Sequence, residues 1–121
     1  MKFNDINTFS TFLPSQYTGG DFTEEIWIRI NSFSDDDVIL FNRENCYGII
    51  ISSAGLVSLQ WYDLTGTLST EATAFSFTLA TNTYVSLIRD ETTQVFYLKI
   101  DGVLIKTTSA STLNVHERKC I

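Results

Sequence analysis

Three groups of side chains in this sequence have types and spacings that could do chemistry. The first is Trp61-Tyr62-Asp63, two aromatic rings beside a carboxylate. Sugar rings stack their C–H faces on aromatic side chains while polar groups bond the hydroxyls. Successive side chains on a strand point to opposite faces, so Trp61 or Tyr62 must face away from the core side. Tyr47 and Tyr97 are further aromatic candidates for the same task. Most such rings in a small domain are core or inter-sheet residues instead. The second group is Asp35-Asp36-Asp37. Calcium wants several hard oxygen ligands gathered by a loop. These three aspartates, with Asn31, Asn42 or Glu44 nearby, could supply them. EF-hand spacing is absent, and a solvated acidic loop is the plainer reading. The third group is His116, the single histidine, close before Cys120. No nucleophile elbow or Gly-rich phosphate loop accompanies it, which favours a surface imidazole.

Enzyme chemistry finds little support. Glycoside hydrolysis with retention needs two carboxylates about 5–5.5 Å apart. Glu24 and Glu25 are adjacent, so on a strand they point to opposite faces. No Cys/His cluster suggests zinc. The net charge of −6 leaves no basic stripe for phosphates, and Arg118-Lys119 is the only basic pair. Nucleic acid is therefore not an expected partner. The charge reads as solubility, or as an acidic face for a cation or a basic partner. No apolar run approaches a membrane span of about 20 residues. Residues 1–10 hold no continuous apolar stretch of signal-peptide type. A soluble protein is expected. Cys46 lies in an apolar run and reads as a buried free thiol. A disulfide to Cys120 is the alternative, in an oxidising compartment.

The elements that must position these groups are strands. The 121 residues make one domain, 1–121, long enough to bury a core without staples. Nine Phe, five Tyr and a single Pro favour sheet over helix. The clearest local signal spans 83–106, with strands over 84–89, 94–100 and 103–107. Asp101-Gly102 between apolar residues predicts a type I′ hairpin turn. Phe96, Leu98 and Ile100 share one face of their strand. Over 21–31, Phe22, Ile26, Ile28 and Ile30 share a face that Glu24 interrupts. Glu24 either reaches solvent near the strand end or is a buried carboxylate with a cationic partner. Trp27 on the opposite face implies a strand covered on both sides. Further strands are expected over 8–13, 38–41, 46–52, 56–64 and 75–79, with a last short one over 112–115. Val57, Leu59 and Trp61 share a face. Residues 65–74 read as a Thr/Ser-rich loop. About nine or ten short strands without a helix, repeat or long linker imply an all-β sandwich or barrel.

Four segments in order resemble the laminin-G-like domains of the concanavalin A-like lectin/glucanase superfamily. GGDFTEEIWIRI is similar to that family's "gdFT" strand with its Trp. Val38-Ile39-Leu40-Phe41 followed by Tyr47-Gly48-Ile49-Ile50 is similar to its next pair, and YVSLIRDETTQVFYLKIDGVLI to its Asp-Gly hairpins. The resemblance covers roughly residues 3–108. It implies an all-β, antiparallel two-sheet jelly-roll sandwich that binds glycans or proteins, frequently with calcium. A minority of members hydrolyse polysaccharides through an E-x-D-x-x-E strand, which is absent here. Two departures stand out. Thr83-Tyr84 replaces the usual Trp, and the segment after Asp101-Gly102 is short. The sandwich is therefore minimal or lacks its last strands, and an oligomer or assembly partner could complete the edge beyond Lys106. The resemblance implies a non-enzymatic module recognising a glycan or protein surface. Its alternative is a structural or decoration component of a virion or fibre. Either role implies an extracellular or virion-surface location.

Overall fold

The computed structural model describes residues 6–12, 20–43 and 46–114 of the chain. They form nine strands. β1 (Ile6–Phe12), β2 (Phe22–Ile30), β3 (Val38–Arg43), β4 (Tyr47–Ile51) and β5 (Leu56–Tyr62) come first. β6 (Leu68–Ser76), β7 (Asn82–Asp90), β8 (Val95–Ile100) and β9 (Val103–Thr107) follow. No helix occurs among the described residues.

The strands build two sheets, one ordered β1-β2-β7-β8-β9 and the other β3-β4-β5-β6. Every pairing is antiparallel. Period-two alternation decides which faces meet. Ile26, Ile28 and Ile30 of β2, Val85 and Leu87 of β7, and Phe96, Leu98 and Ile100 of β8 turn inward. Leu40, Ile49, Ile51, Val57, Leu59 and Trp61 complete the core from the four-stranded sheet. Burying one such side chain is worth about 1.5–3 kcal/mol. The interleaving of two inner faces is what makes an aligned sandwich stable.

The Asp101-Gly102 turn forms as expected. Both residues have positive φ, 51° and 81°, and Ile100 pairs with Val103 across it. The Asp101 side chain accepts from the Tyr84 N–H at 2.9 Å, tying the turn to β7. At the β4–β5 turn, Gly55 (φ 82°) carries the ring of Phe33, and an added Cβ would lie 2.4 Å from that ring.

Four expectations are corrected. Residues 68–76 are a full strand where a loop over 65–74 was expected, and of the strand expected over 75–79 only Phe75 and Ser76 belong to it, residues 77–79 lying past its end. The inward positions of β6 are Ser69, Glu71, Thr73 and Phe75, only half-buried, so hydrophobic patterning is faint. Residues 112–114 form no strand; the rest of that expectation, with His116 and Cys120, lies outside the described residues. Glu24 is buried inside the sandwich rather than solvated at a strand end. Cys46 is disulfide-bonded, not a free thiol.

One long side of the sandwich is closed by β6 and β9. Glu71 of β6 accepts from the Ser109 N–H at 3.2 Å and pairs with Lys106 of β9 at 3.6 Å. The segment after β9 then laces both sheets. Ser111 O accepts from Arg89, Thr112 Oγ1 from the Leu64 N–H, and the Asn114 N–H donates to Tyr62 O.

Candidate ligand-binding face

The outer face of the five-stranded sheet carries the most distinctive surface. Trp27 of β2 sits directly opposite Tyr84 of β7. Their ring centroids are 4.9 Å apart with the planes tilted by 42°. Trp27 is 49% exposed, so nothing among the described residues covers this side of β2. The expectation of a strand covered on both sides fails here. A large aromatic left open on a polar strand face is a cross-strand platform of the kind that stacks ligands.

The next row across the sheet is polar. Glu25 pairs with Ser86, and Ser86 with Lys99. The Tyr84 hydroxyl lies near enough to the Glu25 carboxylate for hydrogen bonding between them to act on its titration. That interaction favours the protonated phenol and holds the Tyr84 pKa above its ordinary value, with burial and the Glu25 charge acting in the same sense. The Tyr84 ring thus has Trp27 against it and the Glu25 carboxylate near its hydroxyl.

One row further, Thr23 pairs with Ile88, and Ile88 with Tyr97. An open depression of about 420 Å³ lies here, lined by Thr23, Ile88 and Tyr97 with Asp21, Phe22, Arg89 and Asp90. Asp21 accepts from the Glu91 N–H at 2.8 Å, and Asp90 from the Thr92 N–H at 3.0 Å. Both carboxylates are thus fixed by the loop they help to form.

The residues singled out from sequence do not converge. Trp61 is 2% exposed and lies in the core, its ring centroid 6.0 Å from that of Phe96. Tyr47 is buried too, stacked on Phe22 at 5.1 Å. Neither offers a face to a ligand. The physical reason is parity: Trp61 shares its side of β5 with Val57 and Leu59, and Tyr47 is its cross-strand partner. Tyr62 and Asp63 are half-buried at the end of the four-stranded sheet, and Tyr97 is half-buried on the other sheet. Asp63 Oδ1 accepts from Thr65 N–H at 2.9 Å, Thr67 N–H at 3.0 Å and the Thr65 hydroxyl. Those bonds, the Thr65 hydroxyl first, pull its pKa below the usual carboxylate value. Asp63 therefore staples the β5–β6 turn. Asp35, Asp36 and Asp37 are exposed. Among the described residues no three of His, Cys, Asp and Glu are grouped to hold a metal ion.

Trp27 and Tyr84 are the site residues that sequence reasoning missed. The signal was present: Trp27 shares the polar side of β2 with Thr23, Glu25 and Arg29.

The sequence matches the family model of the concanavalin A-like lectin/glucanases superfamily over residues 5–119, and the chain belongs to that superfamily. The two-sheet all-β architecture is the one the resemblance implied. Among solved structures, the chain is similar to the binding domain of Paraclostridial Mosquitocidal Protein 1, with a TM-score of 0.59 and 18% identity. That similarity covers 79% of this chain and 28% of the other. No curated protein matches the sequence. No helix among the described residues is long and apolar enough to cross a membrane.

Proposed function

We propose that this chain is a non-enzymatic recognition module that binds a glycan on the outer face of its five-stranded sheet. The observation that carries the reading is the exposed Trp27–Tyr84 pair, with Glu25 near the Tyr84 hydroxyl and a row of polar side chains beside it. Membership of a lectin-containing superfamily supports it, as does the likeness in fold to the binding domain of a mosquitocidal protein. Hydrolysis is disfavoured by the placement of the carboxylates: Glu24 turns into the core and Glu25 away from it. The disulfide at Cys46 fits an oxidising, extracellular or particle-surface setting. The test of the main reading is a glycan array with the whole chain, followed by titration of the hits with Trp27→Ala. Loss of the platform lowers affinity about ten-fold or more. Equal binding by wild type and Trp27→Ala, or no hit at all, overturns the reading.

A specific observation favours a second reading, a component of an assembly. Val103 and Leu104, at the tip of the β8–β9 hairpin on an edge strand, are 61% and 51% exposed. Lys106 is engaged by Glu71, so the open apolar stretch of this edge lies before Lys106 rather than beyond it. A protein interface there predicts a concentration-dependent mass in light scattering that Leu104→Lys abolishes.

A further inference from the structure

We infer that the ligand is an extended, uncharged oligosaccharide lying along β2 and β7, from the Trp27–Tyr84 pair to the depression at Tyr97. This rests on the glycan reading of the same face and adds its length, direction and charge class. The register puts the two ends on one surface. Tyr84, Ser86 and Ile88 alternate along β7, Trp27 is opposite Tyr84, and Tyr97 is opposite Ile88. Four residues of strand separate the two aromatic rows, about 13 Å at strand rise. That span exceeds a single sugar ring and requires several in succession.

The order of chemistry along the face matches such a chain. An aromatic row comes first, then the half-buried Glu25 and Lys99 on either side of the buried Ser86, then Ile88 and Tyr97 over the depression. A glycan presents C–H faces and hydroxyls in turn, so rings at both ends and hydrogen-bonding groups between them suit it. A protein partner suits it less, because the core of a protein interface is depleted in charge and here a charged row divides the aromatics. Charge at the far end selects further. Asp21, Asp90 and Arg89 line the depression at Tyr97, but the Arg89 side chain is fully buried and paired with Glu91, so the open charge there is acidic, and the whole chain carries a net charge of −6. A sulfated or carboxylated sugar placed there meets like charge, whereas the hydroxyls of a neutral one can donate to these carboxylates.

Titration of the whole chain with neutral malto-, cello- and chito-oligosaccharides of increasing length tests this. Oligogalacturonides serve as the charged counterpart. In the series that binds, affinity rises about ten-fold or more between disaccharide and hexasaccharide. Tyr97→Ala removes that gain. Tyr97→Phe retains the gain, which separates stacking from loss of fold, and melting curves check each variant. Trp27→Ala weakens every length. Length-independent binding, or a Tyr97→Ala variant that keeps the gain, overturns this inference and leaves the glycan reading standing. Oligogalacturonides binding as well as the neutral series overturns the charge selection. Absence of binding in every series overturns the glycan reading itself.

Discussion

Tyr47 on β4 donates its phenolic proton to the Glu24 carboxylate on β2, joining the two sheets through the core. Both residues are buried, and a carboxylate out of water is costly unless hydrogen-bonded. Packing leaves the Tyr47 ring little choice. It stacks on Phe22 and lies 5.7 Å from the Phe96 centroid, so its hydroxyl is delivered to Glu24. Tyr47→Phe keeps that packing and removes the donor. The expected loss is about 2 kcal/mol, read as a lower urea midpoint at unchanged slope. A midpoint equal to wild type would show that this hydrogen bond carries no net stability.

Arg89 does the corresponding work at the end of the sandwich. Its side chain is fully buried, with Nη2 donating to Glu91 at 2.9 Å and to Ser111 O at 2.8 Å. Its guanidinium carbon stands 4.9 Å from the Phe96 centroid. One side chain thus holds β7, the loop after it and the segment following β9. Arg89→Lys cannot reproduce the planar fork and is expected to cost about 2–3 kcal/mol. The same variant should become cleavable in the segment around Ser111 under limited proteolysis. Unchanged cleavage would mean that the segment is held by its other bonds, at Thr112 and Asn114.

What could be read from the sequence follows from how local each signal is. The Asp101-Gly102 turn needs positive φ at two adjacent residues, a demand written in those residues alone. The inward faces of β2 and β8 are equally plain, because Ile and Phe at alternate positions have one place to go. β6 is hidden because its inward face is Ser69, Glu71, Thr73 and Phe75: it is held by pairing to β5 and by the Glu71 clasp more than by burial. The site is hidden for a different reason. An aromatic residue on the polar side of a strand looks the same in sequence whether a second layer covers it or not. Sequence alone therefore reads Trp27 as covered, where the structure leaves it open. Trp61 errs the other way: its neighbour Asp63 suggests a ligand residue, but its parity with Val57 and Leu59 marks it as core.

Asp63 gives the β5–β6 turn a pH dependence. Its pKa is lowered in the folded chain from the ordinary 3.8, so its contribution is complete above that value. It is lost as pH falls through the lower folded value, where the protonated side chain no longer accepts as a carboxylate. Asp63→Ala should therefore melt below wild type at neutral pH, and the gap should close in strong acid. Asp63→Asn keeps one acceptor and should fall between the two. A gap of constant size down to strong acid would remove the titration of Asp63 as its cause.

The openness of the Trp27–Tyr84 face can be measured before any ligand is known. The two tryptophans differ sharply, with Trp27 49% exposed and Trp61 2%. Acrylamide should quench wild-type emission in two populations, and Trp27→Phe should leave the shielded one alone. Tyr84 supplies a second handle. Hydrogen bonding with Glu25 holds its pKa above 10.0, so its folded-state contribution is complete below that value and is lost as pH rises through the higher folded one. Glu25→Gln removes the charge, which should bring the Tyr84 titration down toward 10.0 in absorbance at alkaline pH. Wild-type quenching as slow as that of Trp27→Phe would mean that the face is covered in solution by another copy of the chain. The exposed pair would then be an interface, and the assembly reading would displace the glycan one.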